Sequence, residues 1–168
     1  MDERVIVLRL GLALGLGGLL GLERELRGHA AGLRTHLLVC LGSCLFTLVS
    51  IAAGQSSDSA DPAIVRADIT RIASQVVVGI GFLGGGAILR HGTSIHGLTT
   101  AANLWLTASV GMAAGMGFFF GAAATVLLAL LVLIGLRPVE RLIERIRKRH
   151  RIASEPREET EKSPPPSL

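Results

Sequence analysis

The sequence predicts an all-α, polytopic membrane protein, a bundle of about five transmembrane helices, on three observations. Of its 168 residues 49% are hydrophobic, the mean hydropathy is +0.54, and the apolar residues gather into long blocks as membrane spans do. Asp and Glu are absent from residues 69–139, and Lys and Arg from residues 91–136. A soluble domain rarely goes so far without a charge. Nine of the 17 basic residues follow Leu136, so the net charge of +4 is a tail rather than a binding face. It points to a lipid bilayer as partner and not to nucleic acid. The only cysteines, Cys40 and Cys44, sit in an apolar run and read as small packing residues rather than a disulfide framework.

The first span is residues 5–22, apolar except for Arg9, which is near enough to one end to reach the headgroups. Gly11, Gly15 and Gly18 give it a face for helix packing. No A-x-A cleavage site follows, which favours a span over a signal peptide. Residues 23–34 form a short polar connection, and residues 35–53 the second span. Residues 55–67 have loop composition. Asp58, Asp61 and Asp68 carry the carboxylates a divalent cation would seek, but their spacing fixes no geometry. Asp68 and Arg71 are placed to pair at i, i+3.

The third span is residues 72–89, closed by Arg90. Residues 98–136 carry no formal charge, and as one helix they would be roughly 58 Å long against a hydrocarbon core of about 30 Å. They must fold into two spans, with a hairpin at residues 115–117. Five spans place 13 basic residues on one side and leave Arg4, Arg9, Arg66 and Arg71 on the other. This bias puts the N-terminus outside and the C-terminus in the cytoplasm. Residues 1–136 are thus the transmembrane domain. Residues 137–152 follow as a basic amphipathic juxtamembrane segment with Val139, Leu142, Ile143 and Ile146 on one face, and residues 153–168 as a charged, Pro-rich tail expected to be disordered.

The densest stretch of chemistry is residues 79–105, GIGFLGGGAILRHGTSIHGLTTAANLW. Gly79, Gly81 and Gly84 match G-x-G-x-x-G. The acidic residue that a dinucleotide site needs about 20 positions later is missing, so the glycines read as close helix packing or a broken helix. Thr99, Thr100, Asn103 and Thr107 form a polar stripe. It serves either as interhelical hydrogen-bonding glue or as a lining shared with Gln75. Glu23 and Glu25 beside Arg24 and Arg34 suggest an ion-pair network at the membrane edge. His29, His36, His91 and His96 lack metal-ligand spacing, and no nucleophile, base and orienting group stand together. Neither an enzyme nor a cofactor or metal site is expected.

GLERELRGHAAGLRTHLLVCLG at residues 21–42 and DITRIASQVVVGIGFLGGGAILRHGTSIHGLTTAANLWLTASVGMAAGMG at residues 68–117 together resemble the membrane domain of the MgtC/SapB family, in the same order. The family pattern maps onto Glu23, Arg24, Glu25, Gly32, Arg34, Thr35, Asp68, Arg71, Gly81, Phe82, Gly84, Gly86, Gly97, Thr99, Thr100, Trp105 and Gly111. The resemblance is to the shorter SapB-like form, without the ACT-like C-terminal domain that some members carry. It implies a bacterial inner-membrane protein linked to magnesium limitation or acid stress. MgtC-type members resemble modulators of other membrane machinery, including the ATP synthase, rather than magnesium pumps. The expectation is therefore a non-enzymatic modulator, with an ion (Mg²⁺) or small-solute permease as the alternative. A glycine-faced bundle also invites homo-oligomers.

Overall fold

The structure is a computed structural model, and it describes residues 1–55, 62–139, 142–143 and 145–146. Five helices follow one another: α1 (Glu3–Glu25), α2 (Leu33–Gln55), α3 (Pro62–Gly86), α4 (Leu98–Met116) and α5 (Phe119–Gly135). The all-α bundle expected from sequence is what forms. The chain divides into two compact units, Met1–Leu130 and Leu131–Leu168. Glu3–Glu25, Leu33–Gly54 and Phe119–Val139 are long and apolar enough to cross a membrane, and Ser74–Gly86 forms a shorter apolar stretch within α3.

The ends of α1 and α4 follow capping rules. Asp2 caps α1, accepting from the Arg4 N–H at 3.1 Å, and Glu3 places a negative charge against the positive end of the helix dipole. Gly117, at φ 83°, ends α4 in the left-handed region, and its N–H returns to α4 carbonyls. The hairpin expected at residues 115–117 is therefore present.

α2 is the centre of the bundle, in contact with α1, α3 and α4. It can be central because two glycine faces grip it. Gly17 and Gly21 of α1 lie so close that a Cβ on Gly17 would stand 2.6 Å from the Cys40 Cβ, and one on Gly21 2.9 Å from the Leu33 Cα. From the other side, a Cβ on Gly111 of α4 would overlap the Cys40 carbonyl oxygen, and one on Gly115 would come within 2.8 Å of the Cys44 oxygen. Each pair is spaced i, i+4, so each forms a smooth strip one turn long. Cys40 and Cys44, both fully buried, are the small residues of α2 that these strips close upon. They join Ala13, Leu20, Leu48, Val110, Ala114, Ala122 and Val126 in the main core.

Residues 79–86 correct the sequence expectation. This stretch is neither broken nor the tightest packing surface. α3 is helical through Gly86, and Gly79, Gly81, Gly85 and Gly86 have no neighbour within 4 Å of the position of a Cβ. Only Gly84 of this group packs, at an ordinary 3.7 Å from Ala101. α3 begins at Pro62, ahead of the expected span at residues 72–89, while its apolar part is Ser74–Gly86, and it is followed by a small hairpin. β1 (Leu89–His91) pairs antiparallel with β2 (Ser94–His96), Arg90 opposite Ile95. Gly92 turns the corner at φ 60°, and its carbonyl accepts from Arg90 Nε at 3.0 Å.

Arg9 also departs from expectation. It bonds inward, Nη1 donating to the Gly115 carbonyl at 2.6 Å beside Gly117. A cation there complements the negative end of the α4 dipole. The expected loop aspartates Asp58 and Asp61 lie outside the described residues. So do the 153–168 tail and most of the 137–152 segment.

Candidate functional site

The end of α1, the start of α2, the end of α3 and the start of α4 meet at one end of the bundle. Polar residues are buried here. Glu23 is 7% exposed, Arg24 3%, His36 0%, Thr100 7% and Asn103 4%. Burying such groups is unfavourable unless each finds a partner, so their bonding is informative.

Glu23 pairs with Arg27 one turn along α1. Arg24 leaves its own helix and donates from Nη2 to the Thr100 hydroxyl at 3.2 Å, tying α1 to α4. Glu25 accepts the Leu33 N–H at 2.9 Å and so satisfies a free donor at the start of α2. A side chain at Gly32 would strike the Glu25 carboxylate and push it off this cap. The expected ion-pair network is thus organised differently. Arg27 takes Glu23 in an ion pair; Glu25 works as a cap; Arg34 is exposed. Replacing Glu25 by Ala is expected to destabilise the fold by about 1 kcal/mol, the usual loss of an N-terminal helix cap. Thermal unfolding in detergent, beside an Arg34→Ala control of near-zero effect, checks it.

His36 ties α2 to α4. Its Nδ1 lies 2.8 Å from the Gly32 carbonyl and its Nε2 lies 3.0 Å from Asn103 Nδ2. The carbonyl can only accept and the amide nitrogen only donate, so the partners assign the neutral ring with the proton on Nδ1. Thr107 donates to the Asn103 carbonyl at 2.8 Å. The buried stripe of α4 is therefore Thr100, Asn103 and Thr107, while Thr99 is exposed. Steps of three and four follow the 3.6-residue period; two steps of four from Thr99 drift off it.

His29, in the connection between α1 and α2, has its pKa lowered from the ordinary 6.5, first by desolvation and then by the positive charge of Arg24. The unfolded chain therefore takes up the proton more readily than the folded one. The folded state keeps its full stability above the ordinary imidazole pKa and loses some as pH falls below it. His29→Gln is expected to flatten this acid-side slope of thermal stability, measured from neutral to mildly acidic pH.

The remaining candidates separate. Thr35 is exposed at the start of α2 and lines a cavity of about 400 Å³ with Ala31, Phe82, Ala87 and Thr100. Gln75 is exposed and lines a different groove, about 570 Å³ between α2 and α3, with Gly42, Ser43 and Gly79. Gln75 and Thr100 of the stripe therefore line different openings. Arg71 is exposed, its carbonyl accepting from Ser74 at 2.7 Å. The expected Asp68–Arg71 pair rests on an Asp68 side chain outside the described residues. Gly81 and Gly86 are open, Gly84 is packed, and Trp105 is 52% exposed. Sequence reasoning missed His36 and Arg27. The signal for His36 was its phase, four and eight residues before Cys40 and Cys44 on the buried face of α2. Among the described residues no three His, Cys, Asp or Glu side chains are grouped to hold a metal ion.

The model of the MgtC family matches residues 10–142. Among similar proteins are an uncharacterized protein of Synechocystis, 43% identical over 85% of this chain and 57% of its own length, and Escherichia coli K12 "Putative magnesium transporter YhiD", 46% identical over 72% and 57%. Protein MgtC of Salmonella typhimurium is 39% identical over 87% of this chain and 60% of its own length. The chain thus spans about 57–60% of the length of these relatives. No solved structure matches. With both sequence blocks inside the matched region, and with helices apolar enough to span a bilayer, the chain is a membrane protein that belongs to the MgtC family.

Proposed function

We propose that this chain is a non-enzymatic regulator of other membrane machinery, active when magnesium is scarce or the medium acidic, with the ATP synthase as the candidate partner that the family resemblance suggests. The observation that carries this reading is where the polar side chains of α4 go. Thr100 receives Arg24, Asn103 meets His36, and Thr107 bonds its own helix. Groups engaged in this way hold helices together; a conduction path needs polar groups left available to its cargo. The chain's place is the bacterial inner membrane, N-terminus outside and C-terminus cytoplasmic, on the strength of the 13-to-4 sorting of basic residues. Reporter fusions at the C-terminus check the orientation.

The second reading is a magnesium permease, favoured by the name of the Escherichia coli relative. Magnesium flux into sealed liposomes separates the two, with empty liposomes and Asn103→Ala beside the wild type. Saturable flux that the variant loses overturns the regulator. Absence of flux from folded, inserted protein supports it, and crosslinking in low-magnesium membranes then seeks the partner or a second copy of the chain.

A further inference from the structure

We propose that the cavity beside Arg24 binds a phosphate-type oxyanion, recognised by the Arg24 guanidinium, the Thr100 hydroxyl and the open amino end of α4. The proposal holds whichever of the two readings above is right.

Arg24 is the anomaly that motivates it. The residue is 3% exposed, yet the hydrogen bond its side chain makes among the described residues is a 3.2 Å contact to a neutral hydroxyl, and its Nε has no hydrogen-bond partner there. The adjacent acid, Glu23, is paired with Arg27, so one buried carboxylate is shared between two guanidinium groups. A buried cation in this condition is unfavourable unless an anion completes it.

The surroundings supply a place for that anion. Thr100, which holds Arg24, is also a wall of the 400 Å³ cavity, and Thr35 adds a second hydroxyl. Thr100 stands in the first turn of α4, a 19-residue helix whose N-cap, Gly97, is left-handed at φ 89° and offers no capping side chain; its first turn holds no acidic residue. The free N–H groups and the positive end of the dipole there favour an anion. Guanidinium, hydroxyl and backbone N–H are the donors that phosphate oxygens take. Phe82, Leu83, Ala87 and Leu104 make much of the remaining lining apolar, and the site lies where four helix ends meet. A phospholipid would thus seat its phosphate at Thr100, with the Arg24 guanidinium bonded behind that hydroxyl, and its glycerol and chains along Phe82 and Leu83; inorganic phosphate would use the polar part alone.

The test uses the full chain in a sugar-headgroup detergent, which contributes no phosphate, and reads the unfolding midpoint. Inorganic phosphate is titrated against chloride and acetate at equal ionic strength, and phosphatidylglycerol against diacylglycerol with the same chains. The expected result is a saturable rise of the midpoint with at least one phosphate source and none with chloride, acetate or diacylglycerol. A rise with phosphatidylglycerol alone identifies a lipid headgroup, and a rise with both identifies the phosphate chemistry itself. Arg24→Gln is expected to lower the ligand-free midpoint, because the tie to Thr100 is lost, and to abolish the further rise with phosphate, which loss of a purely structural arginine would leave in place. Thr100→Val, which keeps the shape, is expected to raise the half-saturating concentration about tenfold and carries the test if Arg24→Gln does not fold. No rise with either source, or a rise undiminished in the folded variants, overturns the site. An equal rise with acetate also overturns it and points instead to a carboxylate, such as an acidic side chain of a partner.

Discussion

Gly111→Ala is expected to remove about 3 kcal/mol of stability, at the upper end of what overpacking does to a core. The added methyl would overlap the Cys40 carbonyl oxygen and come within 3.0 Å of both the Cys40 carbonyl carbon and the Ser43 Cβ. The obstacle is backbone in the middle of α2, and no rotamer change moves it aside. α2 would have to shift, and it is held on its far side by Gly17 at the same residue, Cys40. Strain at Gly111 is therefore passed into the α1 interface. Domains are stable by only about 5–15 kcal/mol, so the variant should lose a large part of its monodisperse fraction on gel filtration and unfold well below the wild type. Gly79→Ala is the control. Nothing lies within 4 Å of its added methyl, and alanine is the better helix former by up to about 1 kcal/mol. It should match or exceed the wild type. Equal destabilisation by the two substitutions would show that close approach to α2 is not what Gly111 provides.

The contrast between these glycines also shows how much the sequence could tell. The bundle was legible because hydropathy and charge act residue by residue: where charges stop, the bilayer begins, and 39 uncharged residues, 98–136, must turn back once. Gly117 marked that turn because only its φ of 83° was needed. Which glycines carry the packing was not legible. Residues 79–86 hold the greatest glycine density, yet tight approach falls to Gly17, Gly21, Gly111 and Gly115, a property of how three helices meet rather than of any one stretch. The same holds for the site. Arg24 and Thr100 were candidates from their own segments, but their bond joins residues 76 apart. Arg9 could reach headgroups from its position in α1 and instead meets the end of α4, because that carbonyl end lies beside it only once the chain has folded. His36 carried no motif; its meaning is the Asn103 amide that faces it.

That pair supports the second large prediction. Asn103→Leu removes the donor that the described residues offer to Nε2 of a histidine that is 0% exposed, leaving a buried acceptor unsatisfied. The expected loss is about 1–3 kcal/mol. His36→Phe alone should destabilise too, since Asn103 then loses its partner and the small core around Cys40 must accept a larger ring. Combining Asn103→Leu with His36→Phe removes both polar groups together, and the double variant should be less destabilised than the sum of the singles, with a coupling of about 0.5–3 kcal/mol. Simple additivity would mean that the 3.0 Å contact does not tie α2 to α4. The pairing also fixes a proton. With a carbonyl at Nδ1 and an amide N–H at Nε2, the wild-type ring must be the neutral Nδ1–H form, visible in the nitrogen chemical shifts of the labelled histidine; an Nε2–H signal would contradict the arrangement. Asn103→Asp reverses the demand. A carboxylate cannot donate, so Nε2 must carry a proton while Nδ1 still faces the Gly32 carbonyl, and the ring becomes an imidazolium. The variant should therefore exchange a neutral tie for a buried ion pair, folded while that pair survives and weakened at either pH extreme that discharges one member.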